Sequence, residues 1–374
     1  MSFDYTTYSA TVTPLTPVHI GSGRRLLKDY DYAVHNRRTW RINEDALLEA
    51  QTVADPAMAE RLARSSPAQL LRPEDYQPDS LYFRYSLPGQ PRAREEGAQL
   101  QELLKTVRDE PFLPGSSLKG AIRTALAWRA WQEQGRRPDM RDLERNRRFA
   151  GQRVERELLG PDPNHDLLRA LQVGDSAPAG QDRLILINVQ VITPRGLQAP
   201  IELEAIRPDT PFQLSLKIDT RLFGEWARRY RLQLGGNPAW LQRLAQTIQS
   251  HTAQRLKDEL AWYSERPGAE QAAGFYRQLL NAQLPPNSCL LQIGWGTGWS
   301  DKTYGSHLQA DARFMDALVQ EYRLSIGNRH RPGDPFPKSR RSVVHLTRDK
   351  QGHTRQQAGV PLGWVLMELK EQKQ

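Results

Sequence analysis

Pro111-Phe112-Leu113-Pro114-Gly115-Ser116-Ser117-Leu118-Lys119-Gly120-Ala121-Ile122-Arg123-Thr124 is the stretch whose reading decides the fold. Pro114 and Gly115 stop the preceding segment, and Ser116 or Ser117 is placed to cap the free N–H groups of a helix running to about Glu133. Leu118, Ile122, Ala125 and Leu126 recur at helical spacing and form an apolar face that should pack on a sheet. Lys119 and Arg123 stand one turn apart near the positive end of the helix dipole. Free N–H groups, dipole and paired cations together make a phosphate site. The competing reading is an ordinary capped helix with solvated cations.

Two further segments extend the pattern. Tyr8 to Val12 alternates as a strand does, and it leads into Thr13-Pro14-Leu15-Thr16-Pro17-Val18-His19-Ile20-Gly21-Ser22-Gly23-Arg24-Arg25, where glycines allow close backbone approach before two arginines. Leu290 to Ile293 reads as a short strand feeding a loop that contains Gly294, Trp295, Gly296, Gly298, Trp299, Lys302, Tyr304 and Gly305. Backbone donors exposed by glycine hold phosphates, and aromatic faces stack on bases. Trp295 and Trp299 serve equally well as plugs for the core beneath. Neither loop fits a nucleoside triphosphate or a dinucleotide: Asp301 precedes Lys302-Thr303 where a P-loop needs glycine, and the alternating glycines lack the final fingerprint position.

Composition bounds the answer independently. At 374 residues the chain is long enough for one large or two medium domains, and its net charge of +9 favours polyanionic partners. That charge is concentrated. Lys119 to Arg156 holds eleven Lys and Arg against five Asp and Glu, and Arg323 to Arg355 nine against two. Arginine dominates both runs, as suits forked phosphate contacts. Cys289 stands alone, so no intrachain disulfide forms, and the eight histidines are scattered. Neither a metal nor a cofactor is expected. The longest apolar run, Leu184 to Ile192, contains Asn188 and Gln190, which points to a soluble cytoplasmic protein with no membrane partner.

Strand signals at Tyr5–Leu15, Arg183–Thr193, Ile201–Ile206, Phe212–Asp219, Cys289–Ile293, Ser342–Leu346 and Trp364–Leu369 alternate with helical ones. Helices are expected at Glu44–Gln51, Arg94–Val107, Ser117–Glu133, Met140–Leu159, Arg221–Leu234, Pro238–Ser264, Ala269–Leu280 and Leu308–Arg323. The fold class is α+β.

Read in order, these segments resemble the RAMP superfamily of CRISPR-associated RNA-binding proteins, and within it the fifth Csm subunits of type III-A effector complexes. The resemblance rests on Pro17 to Gly23, Leu113 to Arg123, Val173-Gly174-Asp175-Ser176, Glu204 to Phe212, the glycine loop from Gly294, Pro337 to Arg341, and Pro361 to Val365. It implies an RRM-like (ferredoxin-like) core split by large helical insertions within one module, 1–374. The core would fall near 1–23, 111–134, 183–219, 285–325 and 340–370, with insertions near 24–110, 135–182 and 221–284. Two tandem ferredoxin-like domains divided near Ala177–Asp182 are the alternative.

By the same resemblance the chain is a non-catalytic subunit that caps the 3′ portion of a CRISPR RNA and is needed for its maturation to final length. Its partners would be that single-stranded guide, neighbouring backbone RAMP subunits of the Csm complex, and host trimming nucleases. The residues expected on RNA are Gly21, Ser22, Gly23, Arg24, Ser116, Ser117, Lys119 and Arg123, followed by Lys302, Arg340 and Arg341. For Arg340 and Arg341 a cation pair flanking a strand is the competing reading. An RNA endonuclease is a second possibility, through acid/base work by His19 or metal-dependent cleavage at Asp31, beside Asp29. A purely structural assembly subunit is the third.

Overall fold

The computed structural model describes residues 5–51, 64–95, 97–194, 196–198, 200–302, 304–325, 330–348 and 351–372. Strands are numbered in chain order. β1 (Tyr5–Pro14) lies at the centre of a five-stranded antiparallel sheet, between β15 (Trp364–Glu371) and β11 (Phe212–Asp219). β12 (Ser288–Gln292) and β7 (Leu171–Val173) form its edges, giving the order β12-β15-β1-β11-β7. Ala10 stands opposite Leu214 and Leu369, and Val12 opposite Phe212 and Met367. Residues opposed across antiparallel strands share a face, so the period-two pattern of each strand makes one side of this sheet apolar.

The helix Gly115–Glu133 lies against that side, with Leu118, Ile122, Ala125 and Leu126 fully buried in the same core. Each leucine so placed contributes about 1.5–3 kcal/mol. Gly135 ends the helix with φ +58°, donating its N–H to the Gln132 carbonyl while Arg136 donates to Trp131, a Schellman closure. A helical hairpin, Leu244–Ser264 and Glu270–Asn281, continues the core: Leu244 and Ile248 join it, and Leu256 and Tyr263 pack with Tyr276, Leu290 and Trp364.

A second sheet runs β14 (Thr354–Pro361), β13 (Arg340–Arg348), β8 (Leu184–Thr193), β10 (Ile201–Ile206), β6 (Gln99–Leu103), β2 (Gly21–Leu27), with β9 (Gly196–Leu197) added beside β8. Its β10–β6 pair is parallel. Three short strands, β3 (Tyr32–His35), β4 (Arg38–Ile42) and β5 (Phe83–Pro88), close a small core around Trp40, Ile42 and Phe83. Pro17 to Ile20 is the joint at which the chain passes from the first sheet to the second, pinned by a bridge between Val18 and Ile206.

Two expectations are corrected. The helix expected at Arg94–Val107 is instead β6, because Gln99–Leu103 buries Leu100, Glu102 and Leu103 between β2 and β10. Strand pairing there overrides helical propensity. The helix expected at Met140–Leu159 is confined to Gln152–Leu159. Upstream, Asp139 and Asn146 accept the N–H groups of Arg141 and Arg148 and cap separate 3₁₀ turns. Across the segment Ala177–Asp182, β1 pairs with β11 and β15, and β6 with β10.

Candidate nucleic-acid interface

The joint Pro17–Gly23 and the glycine loop are stapled together. Trp295 donates its N–H to the His19 carbonyl at 2.7 Å, and Gly363 donates to Pro17 at 2.9 Å. Gly294 adopts φ +76°, and a Cβ there would lie 2.4 Å from the His19 oxygen, so only glycine fits. His19 is buried, with Nδ1 2.6 Å from the Glu204 carbonyl. A carbonyl only accepts, so Nδ1 carries the proton of a neutral ring. Burial lowers the pKa of His19; the Glu204 contact opposes that shift and the Lys105 ammonium adds to it. The Glu204 carboxylate is itself a buried hub, accepting from Tyr85 Oη (2.8 Å), the Leu103 N–H (2.9 Å) and Lys105 Nζ (2.5 Å). An acid inside the apolar strand Ile201–Ile206 was the available signal for that pair.

Beyond the joint, β2 bulges between Gly21 and Arg25 and exposes Gly21, Ser22, Gly23 and Arg24. Ser22 donates to Glu102 at 2.8 Å and accepts the Arg24 N–H, while the Arg24 guanidinium reaches Asp31 (3.7 Å) and Glu102 (4.0 Å) from an exposed position. Asp31 is committed elsewhere too: its carboxylate accepts the Leu27 N–H at 2.8 Å and pairs with Arg41 at 3.3 Å. Among the described residues no group of three or more His, Cys, Asp or Glu side chains converges to hold a metal.

The helix Gly115–Glu133 differs from the sequence reading at its start. Neither serine caps it. Asp175, from the loop after β7, accepts the Gly115 N–H at 2.7 Å, and the helix seats so closely that a Cβ on Gly115 would lie 2.3 Å from the Val173 carbonyl. The positive end of the dipole is therefore already met by a carboxylate. Ser116 is exposed and Ser117 half-buried. Lys119 donates to the Leu171 carbonyl at 2.7 Å, and partial burial lowers its pKa against the pull of Asp166. Arg123 is clamped by Glu155 (2.5 Å) and by both oxygens of Asp166 (2.7 and 3.0 Å). Among the described residues no hydrogen bond or ion pair joins Gly115–Lys119 to the two stapled loops.

Arg340 and Arg341 are neighbours with different fates. Arg340 donates Nε to Glu259 (2.8 Å) and lies 4.9 Å over the Trp262 ring. Glu259 also accepts from Arg255 (3.1 Å), which holds Asp301 at 2.9 and 3.0 Å, so four side chains form one buried ionic chain. Burial works against the Glu259 carboxylate, yet Arg340 and Arg255 hold its pKa below the ordinary range. Arg341 has no carboxylate partner among the described residues. Its guanidinium lies 4.9 Å over Trp295, and its Nε is buried without a hydrogen bond. Trp295 in turn meets His19 edge-on at 6.3 Å. Both Trp295 and Trp299 are half-buried, so each combines plug with surface.

Three cavities adjoin these residues. One of about 190 Å³ lies between Arg341, Arg340 and Gly296–Ser300. A second, of about 520 Å³, shares Trp299 with it and includes the exposed Lys302. A third, of about 430 Å³ beside Lys119, shares Arg123, Gln152 and Glu155 with the second.

Comparison with known proteins identifies the setting. The family model described as the RAMP superfamily matches residues 11–300. A Streptococcus thermophilus protein named CRISPR system Cms protein Csm5 is 26% identical over 262 residues, covering 61% of this chain and 70% of the relative. A protein of the same name from Methanocaldococcus jannaschii is 22% identical over 270 residues, 70% of this chain and 63% of the relative. In solved structures, one chain of a type III-A Csm–crRNA–target RNA ternary complex superposes with a TM-score of 0.71 at 22% identity, covering 96% of this chain and all of the other. The T. onnurineus Csm5 crystal structure gives 0.60 at 23% identity, over 95% and 99% of the two chains. At these identities the structural likeness carries the fold.

Proposed function

The chain belongs to the RAMP superfamily, and on that premise we propose that it is a Csm5-type, RNA-binding subunit of a type III-A effector complex. It would cap the 3′ portion of the CRISPR RNA, support its trimming to final length, dock on neighbouring backbone RAMP subunits and leave cleavage to other nucleases in the cytoplasm. The order β15-β1-β11-β7, with the helix Gly115–Glu133 following β1, supports reading the first sheet as an RRM-like core interrupted by insertions, all within one module. β12 is then an added edge strand.

The observation that carries the reading is Arg341: an arginine without a carboxylate partner among the described residues, stacked on Trp295 at a glycine loop stapled to Pro17–Gly23. Such a cation and backbone are available to a phosphate. The proposed RNA-facing set is Gly21, Ser22, Gly23, Arg24, Ser116, Ser117, Lys119, Lys302 and Arg341. Arg123 and Arg340 act by holding the frame. The hydrogen bonds of His19 and Asp31 to neighbouring backbone favour positioning roles for both over cleavage.

The test is binding of single-stranded guide RNA by the purified chain across a salt series. Affinity that falls steeply with salt, without cleavage, supports the reading. Binding insensitive to salt, or cleavage lost in Asp31→Ala, contradicts it.

A further inference from the structure

We propose that the 520 Å³ cavity enclosed by the helix Gly115–Glu133, the turn Arg147–Phe149 and the helix Ala312–Glu321 holds one unstacked nucleotide of a single-stranded RNA, with its base among aromatic rings and its phosphate at the rim. This rests on the RNA-binding reading above and gives it a specific pocket. The volume lies within the range of small-ligand sites. Phe149, Trp299 and Tyr304 line it with partly exposed rings, over a floor of the buried Trp131 and Tyr322, Trp131 packing 4.8 Å beneath Tyr304. Base–aromatic stacking needs such faces and tolerates any base.

The charge around the cavity is one-sided. Its three acids are already paired: Asp139 with Arg141 (2.6 Å), Asp142 with Arg136 (3.3 Å) and Glu155 with Arg123 (2.5 Å). Arg147, Arg148 and Lys302 also line it, and among the described residues their side chains have no ion pair and no hydrogen bond. Three uncompensated cations thus face an aromatic cavity, which suits a phosphate with its base attached.

Phe149 strengthens the assignment. It is 42% exposed, unusual for phenylalanine, and it sits on a turn fixed by the Asn146 cap with the Arg148 guanidinium 5.6 Å over its ring. The neighbouring cavities supply a route: one shares Trp299 at the glycine loop, the other shares Arg123 beside Lys119. A strand running between them passes the mouth of this pocket.

The experiment irradiates the full chain bound to single-stranded RNA carrying 4-thiouridine at successive positions and maps the adducts by mass spectrometry. Affinities of Phe149→Ala, Phe149→Trp and the double variant Arg147→Ala/Arg148→Ala are measured alongside. Adducts on Phe149 or Tyr304, a three- to tenfold weaker affinity for Phe149→Ala, and restoration by Phe149→Trp at unchanged melting temperature are the expected results. Adducts confined to Gly294–Gly298 and Arg341, with unchanged affinity in all three variants, overturn the pocket and leave the RNA-binding reading standing. No salt-sensitive RNA binding by the wild type overturns both.

Discussion

Arg123 and Arg341 both belong to arginine-rich runs of the sequence, and the structure puts them in opposite electrostatic states. Arg123, on the helix Gly115–Glu133, is held by Glu155 and Asp166, 32 and 43 residues further along the chain. Arg341, on β13, rests on Trp295 with its Nε buried and unpartnered. Even adjacent arginines divide this way, since Arg340 is bonded to Glu259. A run of arginine in a sequence records charge but not availability. Availability is decided by carboxylates that the fold brings from elsewhere, and an arginine already in a bidentate pair has little to gain from a phosphate.

The contrast can be broken or sharpened by substitution. The largest effect is expected where pairing is complete. Arg255→Ala strands Asp301 in the interior and leaves Glu259 with Arg340 alone, and should cost about 3–5 kcal/mol in urea unfolding; a cost below about 1 kcal/mol would mean that water reaches the chain of charges. Gly115→Ala forces a Cβ against the Val173 carbonyl and should cost about 1–3 kcal/mol. Gly120→Ala, on the same helix but with open space at its Cβ, should instead stabilise by about 0.5–1 kcal/mol. If both glycines respond alike, the close seating of the helix start is wrong.

Acid should act on the frame. Burial pushes His251 down to about 3, with the Arg255 charge adding to it, and burial also lowers His19. Both rings are neutral when folded, so the unfolded chain binds more protons as pH falls below about 6.5. Stability should be fully present above that value and decline toward pH 3, as read from urea midpoints. His251→Phe should flatten part of that slope; an unaltered slope would remove His251 from the account. Of the two arginines, Arg123→Ala should cost about 1–2 kcal/mol, since its pairs are partly solvated, and Arg341→Ala should leave stability within about 0.5 kcal/mol.

Much of the local structure was legible in the sequence. The helix after Pro114, the alternating strand Tyr5–Pro14 and the strand Ile201–Ile206 follow from periodicity and turn residues, which act over a few positions. The strand Gln99–Leu103 was not legible, because its partners β2 and β10 come from distant sequence and only their pairing selects it. The same holds at the interface. Pro17–Gly23 and the Gly294 loop could be singled out by their glycines. Glu155 and Asp166 could not be assigned to Arg123, nor Glu259 to Arg340, without the tertiary fold. Ser116 and Ser117 look like caps by composition, but Asp175 takes that place from 60 residues away.

The most direct measurement compares RNA affinity of Arg341→Ala and Arg123→Ala with the wild type at two salt concentrations. The account predicts an on the order of tenfold loss and a shallower salt slope for Arg341→Ala, with Arg123→Ala near wild type once folded protein is counted. Equal losses in the two variants, or a loss confined to Arg123→Ala, would contradict it.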